Sequence, residues 1–311
     1  MRALITGGLG FVGRHLGDHL TACGDEVVAL DRSGDPAIDI LDAEGTAAAI
    51  AEVSPDAVYH LAGWADVGGS WHDPRTVLRV NAEGTLNVLE GCRAAGVERV
   101  LSVASADVYG VVVEAELPLD EHAALRPTSP YAASKLAADA VAQQAFLGHG
   151  LPVIRVRPFN HLGPGQSEQF VATALAARIA RAERDGADFI LVGNLTTRRD
   201  FTDVRDIVRA YRLLIEQGEP GEVYNVCSGR DLPIQYLADH LVSLATHPVE
   251  LRSDPALMRP SDLPVLRGDA SKLTAATGWT PDIPIEQTLA DLLNDLRARL
   301  RDDTALEQER S

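Results

Sequence analysis

The sequence predicts an α/β protein: a doubly wound, mostly parallel sheet with a smaller mixed α/β portion. Three observations lead there. Short β-branched or apolar runs alternate with Ala/Leu-rich amphipathic stretches from the start of the chain; strands separated by helices pair in parallel and are covered on both faces. A glycine-rich turn joins the first run to the first amphipathic stretch. After about Pro158 the alternation weakens, with Pro and Gly gathering at Gly163–Gly165 and Pro255–Pro264.

In order, Arg2–Ile5, Val27–Leu30, Ala57–Leu61, Val100–Ala104 and Val153–Val156 read as strands. Phe11–Cys23, Ala43–Val53, Val77–Ala95 and Tyr131–His149 read as the helices between them. Asp203–Val226 reads as a return to the first unit, with a helix near Arg205–Glu216 and a strand at Val223–Val226. The expected division is therefore 1–157 plus about 204–228 for the sheet domain, and 158–203 with 229–311 for a smaller substrate-binding one. The polar tail Asp302–Ser311 is expected to fray.

Composition narrows the partners. The 311 residues are 46% hydrophobic, ample for a substantial core, and 45 acidic against 28 basic side chains give a net charge of −17. That balance disfavours nucleic acid and anionic membrane surfaces. Cys23, Cys92 and Cys227 are too few and too scattered for a disulfide framework or a zinc site, so no metal is expected. Met1–Ile5 runs straight into a strand and no apolar run reaches membrane length, so the expectation is a cytoplasmic enzyme.

The turn Thr6-Gly-Gly-Leu-Gly-Phe-Val-Gly13 lies between the first strand and the first helix. Gly7, Gly10 and Gly13 permit a tight turn and close approach to a pyrophosphate, which the following helix N-terminus attracts. Phe11 and Val12 open that helix, and Asp31 ends the second strand. An acid there suits ribose hydroxyls, so the context reads as a Rossmann-type dinucleotide site. Asp31 favours NAD(H); Arg32 and Ser33 offer a place for the 2′-phosphate of NADP(H), so both cofactors stand. Asp39 and Ile40 suit the adenine, with a surface turn as the competing reading.

Tyr131 and Lys135 share one face of a helix, four residues apart. A Tyr/Lys pair at this spacing is usually plain helix surface. It gains meaning from Ser105 at the end of the fourth strand, since ligands of open parallel sheets bind at the strands' carboxyl ends. A carbonyl that accepts hydride also needs a proton, which a phenol can give. A neighbouring ammonium and the positive nicotinamide are expected to lower that phenol's pKa, while Ser105 orients the same oxygen. Asn81 reads either as the end of a proton relay through water and Lys135 or as a polar helix residue bonded to backbone.

With His60-Leu-Ala-Gly63, Ser105-Ala-Asp-Val-Tyr-Gly110 and Tyr131-Ala-Ala-Ser-Lys135, the glycine-rich turn resembles the extended short-chain dehydrogenases/reductases acting on nucleotide sugars. Within that family, 158–166, 192–195, 199–206, 223–229 and 259–264 look like the GDP-4-keto-6-deoxy-D-mannose reductases, which make GDP-D-rhamnose; so does Gly278-Trp-Thr-Pro281 followed by Ile285–Leu296. The resemblance implies that Leu61, Ala62 and Gly63 line the cofactor along with Tyr131 and Lys135. It implies that Asn160 touches a nucleotide sugar and that Arg199 and Arg259 hold its diphosphate, which suits arginine forks in an acidic protein. It also implies a homodimer formed by two helices per subunit, with 77–95 and 131–149 as candidates. His161 belongs to the motif, with packing the expected role.

The sister activities, 4,6-dehydratase and 4-epimerase, share the Ser/Tyr/Lys set. Resembling dehydratases place acids just after the Ser/Thr; here Ala106 takes one such position and Asp107 the next, one methylene short of a glutamate. A non-catalytic NAD(P)-binding protein is a third reading, disfavoured because Tyr131 and Lys135 are both present. The expected reaction is NAD(P)H-dependent reduction of the C4 ketone of a GDP-4-keto-6-deoxyhexose, giving GDP-D-rhamnose or its C4 epimer.

Overall fold

The computed structural model describes residues 1–257 and 263–309, with 302–309 by backbone alone. Its strands are β1 (Arg2–Thr6), β2 (Glu26–Leu30), β3 (Ala57–His60), β4 (Arg99–Val103), β5 (Val153–Pro158), β6 (Asn160–Leu162), β7 (Phe189–Val192), β8 (Arg198–Asp203), β9 (Val223–Val226), β10 (Asp231–Pro233), β11 (Glu250–Ser253) and β12 (Val265–Leu266). The helices are α1 (Phe11–Ala22), α2 (Ala43–Val53), α3 (Pro74–Leu78), α4 (Gly84–Ala95), α5 (Pro130–His149), α6 (Val171–Asp185), α7 (Val204–Gln217), α8 (Ile234–Ser243), α9 (Ser271–Thr277) and α10 (Ile285–Glu309).

Six strands pair in the order β2-β1-β3-β4-β5-β9, all parallel. β1 lies between β2 and β3, so the chain reverses its winding there, and a cleft opens at the carboxyl ends where successive connections leave in opposite directions. One face of the sheet packs Leu16, Leu20, Ile207, Tyr211 and Leu214 from α1 and α7. The other packs Ile50, Val88, Leu89 and Ala142 from α2, α4 and α5. Two of these helix starts are capped by side chains: Asp42 Oδ1 accepts from Gly45 N at 3.0 Å before α2, and the Ser129 hydroxyl accepts from Ala132 N at 3.1 Å before α5.

A second core gathers Leu175, Ile179, Leu237, Leu241, Leu289 and Leu293 from α6, α8 and α10. Beside it β8 pairs with β6, β10 and β12, and β7 pairs with β11. α7 returns to pack on α1, and α9 also packs against α7 and β9.

Two expectations are corrected. The helix expected over Val77–Ala95 begins earlier, at Pro74, with Asp73 capping it through Thr76 N at 3.1 Å. It is also interrupted by a π-turn over Arg79–Glu83, which carries Asn81 inward. The segment 302–309, expected to fray, is helical in its backbone as the continuation of α10.

Candidate active site

The glycine-rich turn forms the floor of one end of the cleft. Gly7 has φ +73°, and a Cβ there would lie 2.8 Å from Ala62 N, so the turn closes directly onto the segment after β3. A Cβ on Gly13 would fall 2.2 Å from Gly7 O, which holds the first turn of α1 against the loop. Gly10 precedes α1 without any side-chain cap, leaving first-turn N–H groups to face the cleft. Leu9 N donates to Asp31 Oδ2 at 3.1 Å, and Ser33 donates twice to Asp31 Oδ1. Burial pushes the Asp31 carboxyl upward, but the hydrogen bonds from Ser33, Leu9 and Arg32 outweigh it and hold the group below its usual value. This is a cradle that any side chain larger than hydrogen would fill, with a carboxylate at its rim, and it fits a dinucleotide.

Ser105 lies two residues beyond β4, in extended backbone, and its Oγ accepts from Asp107 N at 3.2 Å. Tyr131 and Lys135 come from the first turns of α5, both buried. Lys135 Nζ donates to Val103 O at 3.0 Å, which ties the helix to the end of β4. Burial pushes the Lys135 ammonium down to about 8. The expected lowering of the phenol is not what the chain's own groups produce: burial, then the Asp107 charge, push Tyr131 above its ordinary value, against a hydrogen bond with Ser105. The physical reason is desolvation of the phenolate, which the hydrogen bond with Ser105 offsets only in part.

Asn81 is committed to backbone and helix rather than to the cleft. Its Oδ1 accepts from Trp64 N at 2.8 Å, and its Nδ2 donates to Trp64 O at 3.3 Å and to Ser134 Oγ at 2.8 Å. This favours the backbone-bonded alternative over the relay.

All other described candidates line one continuous cavity of about 1140 Å³. Gly7, Gly10, Phe11, Val12 and Gly13 line it, as do Asp31, Arg32, Asp39 and Ile40. Leu61, Ala62 and Gly63 line it as well, together with Ser105, Tyr131 and Lys135. Asn160, on β6, and Arg199, on β8, complete the set. Arg199 is held by Arg198 O at 2.9 Å and Leu263 O at 2.7 Å. Its charge opposes the burial that pushes the Asp107 carboxyl upward, so a cation and an acid face the same space as Tyr131. Arg259 lies outside the described residues. His161 stacks on Phe11 with ring centroids 6.2 Å apart, and its Nδ1 meets Phe159 O at 2.9 Å, as packing would have it.

A cavity that runs from a glycine cradle past a Ser/Tyr/Lys cluster to an arginine is the shape expected of a dinucleotide-dependent enzyme with a second anionic ligand. Residues 3–227 match the model of the NAD dependent epimerase/dehydratase family. The chain belongs to this family. Among its members, the GDP-6-deoxy-D-mannose reductase of Pseudomonas aeruginosa is 40% identical over 304 residues, covering 97% of this chain and 99% of that protein. The UDP-glucose 4-epimerase of Streptomyces lividans is 30% identical, covering 89% and 91%. The structure of RMD from Pseudomonas aeruginosa complexed with NADPH superposes with a TM-score of 0.88 at 39% identity, over 96% of this chain and all of that one.

In a family member the site has a stated chemical capacity: a bound dinucleotide supplies hydride, and the chain's own groups orient a carbonyl and move a proton. Sequence reasoning placed these groups but assigned no role to Thr6, His60, Thr85 or Ser134. Thr6, His60 and Ser134 sit inside quoted motifs, which was a signal; Thr85 carried none. Among the described residues no cluster of His, Cys, Asp and Glu could hold a metal, and no helix is long and apolar enough to cross a membrane.

Proposed function

We propose that this chain reduces the C4 ketone of a GDP-4-keto-6-deoxyhexose with NADPH or NADH, giving GDP-D-rhamnose or its C4 epimer. The observation that carries the reading is the single cavity in which Ser105, Tyr131 and Lys135 stand between the glycine cradle and Arg199. Its likeness to a GDP-6-deoxy-D-mannose reductase over nearly the full length of both chains supports the substrate class. The NADPH held by the Pseudomonas relative and the cavity-lining Arg32 here support NADPH beside NADH.

In this reading Ser105 donates to the C4 oxygen and fixes its direction. Tyr131 gives its phenolic proton to that oxygen as hydride reaches C4, so the C=O bond becomes CH–OH. Lys135 holds the nicotinamide ribose and, once turned from Val103, favours the phenolate. Gly7, Gly10 and Gly13 seat the pyrophosphate, Asp31 the adenosine ribose, and Asp39 and Ile40 the adenine. Asn160 and Arg199 receive the sugar nucleotide, with Arg259 as the second cation, on residues 158–203 and 229–311.

Two helical rods, 74–95 and α5, are the proposed contact of a homodimer, and exposed Leu78, Leu86 and Leu147 on them support it. A sedimentation mass of one subunit would overturn that. Three free cysteines accord with a cytoplasmic setting.

The deciding experiment incubates the protein with GDP-4-keto-6-deoxymannose and each reduced cofactor and identifies the product by NMR. Oxidation of cofactor with loss of the C4 ketone is expected. Loss of water from GDP-mannose without net cofactor change would make the chain a dehydratase instead.

A further inference from the structure

Five buried polar residues link the cofactor cradle to the helix that carries Tyr131. Thr6, His60, Asn81, Thr85 and Ser134 are each almost wholly removed from solvent. Thr6 and His60 are register partners across β1 and β3. Thr6 Oγ1 lies 2.8 Å from His60 Nδ1, and His60 Nε2 lies 2.9 Å from Thr85 Oγ1. Thr85 Oγ1 lies 2.5 Å from Asn81 O. Asn81 Nδ2 then lies 2.8 Å from Ser134 Oγ, which is 2.7 Å from Tyr131 O.

The direction of every bond follows from the carbonyls, which only accept. Thr85 must donate to Asn81 O, so only its lone pairs remain for His60, and Nε2 must carry the imidazole proton. Nδ1 is then an acceptor, and Thr6 is its donor. Thr6 Oγ1 in turn accepts from Ala62 N at 3.4 Å, beside the position where a Cβ on Gly7 would clash. Ser134 must likewise donate to Tyr131 O, so it receives the amide of Asn81. All the donors run one way, from the cradle toward the first turn of α5.

We propose that His60, as the neutral Nε2–H imidazole, is a positioning residue that joins the glycine-rich loop to the turn bearing Tyr131, so that the cofactor seat and the proton donor hold one geometry. No second arrangement satisfies all these groups, and a buried polar group left unpaired is costly. Burial, with the Lys135 charge second, pushes the imidazole down to about 3, so the ring stays neutral and the direction does not reverse near neutrality. The π-turn at Arg79–Glu83 belongs to the same device, because it brings the Asn81 carbonyl and amide into line with both neighbours.

The test has one arm that needs no substrate. Nitrogen-15 NMR of the His60 ring in the wild type should show protonated Nε2 and bare Nδ1, unchanged from about pH 5 to 8. An Nδ1–H ring or an imidazolium in that range overturns the proposal, whatever the sugar substrate proves to be. The second arm compares Thr85→Val, which removes the acceptor of Nε2–H at nearly constant volume, with Thr85→Ser, which keeps it. Thr85→Val should lower kcat about ten- to a hundredfold while KM for the sugar nucleotide stays within about twofold, because a small misplacement of reacting groups has that effect. Thr85→Ser should recover most of the loss. Wild-type kcat in a folded Thr85→Val protein would overturn the proposal; if that variant does not fold, the ring spectrum of the wild type decides. The turnover arm rests on Tyr131 as proton donor, whereas the spectrum does not.

Discussion

At the dinucleotide end of the cavity the wall is mostly backbone: Gly7, Gly10 and Gly13, the first N–H groups of α1, and a carboxylate fixed by Leu9 N and Ser33. Where the sugar nucleotide is proposed to bind it is side chains, Asn160 and Arg199 among them, borne on the short strands β6 and β8. The first end rests on a six-stranded parallel sheet and tolerates almost no added atom. The second rests on a smaller core, and its lining side chains come from several segments. One scaffold can therefore keep its cofactor chemistry constant while its sugar end varies, which accords with reductase and epimerase relatives matching the same chain.

The sharpest test of this contrast lies where the ends meet. Tyr131→Phe should cut kcat by about 10²–10⁴-fold, the usual share of a general acid, and leave the dissociation constant of the reduced cofactor near wild type. Undiminished turnover would remove Tyr131 from its role. Gly13→Ala should act at the cofactor end alone in origin but on the whole fold in effect. With its Cβ 2.2 Å from Gly7 O, the loop must shift, at an overpacking cost of about 1–3 kcal/mol read as a lower melting temperature and weaker dinucleotide binding. Arg199→Ala should do the opposite, raising KM for the sugar nucleotide about ten- to a hundredfold, as loss of a charged hydrogen bond does, with cofactor affinity unchanged. If cofactor affinity fell equally, the two ends would not be separable.

Lys135 allows a pH test. Its folded pKa of about 8 lies below the 10.5 of a free lysine, so between those values the unfolded chain binds the extra proton. Stability therefore rises with pH from about 8 toward 10, where unfolded tyrosines begin to ionise. Lys135→Met should lose that rise in denaturant midpoints measured against pH, while wild type keeps it. The smallest expected effect is at the rim: Asp31→Ala should weaken NADH binding a few-fold and shift preference toward NADPH, read as the ratio of the two dissociation constants. An unchanged ratio would assign cofactor choice elsewhere.

The sheet was legible because its signals are local. Alternating runs and a glycine triplet at a strand–helix junction each act within a few residues. The helix at 74–95 was misjudged for a reason equally physical. A π-turn inserts without any mark in hydrophobic period, and here it is stabilised by Trp64 and Ser134, both distant in sequence. The run of α10 to Glu309 was missed because a polar composition resembles a tail.

Chain chemistry was enough to propose a reacting set, since only certain residue types can seat a pyrophosphate, give a proton or hold a phosphate. What required the folded chain was the environment of each group. Asn81 could serve a relay or a backbone bond until Trp64 and Ser134 came within reach of its amide. Tyr131 was expected to be tuned by a lysine four residues away, yet in the folded chain burial and Asp107 govern it while Lys135 bonds to Val103. His60 was one letter in a motif until β3 set it beside Thr6 and α4 brought Thr85 to its other nitrogen. Residue type limits which bonds a group can make; only the three-dimensional neighbours, by satisfying or desolvating it, select which of them it does make.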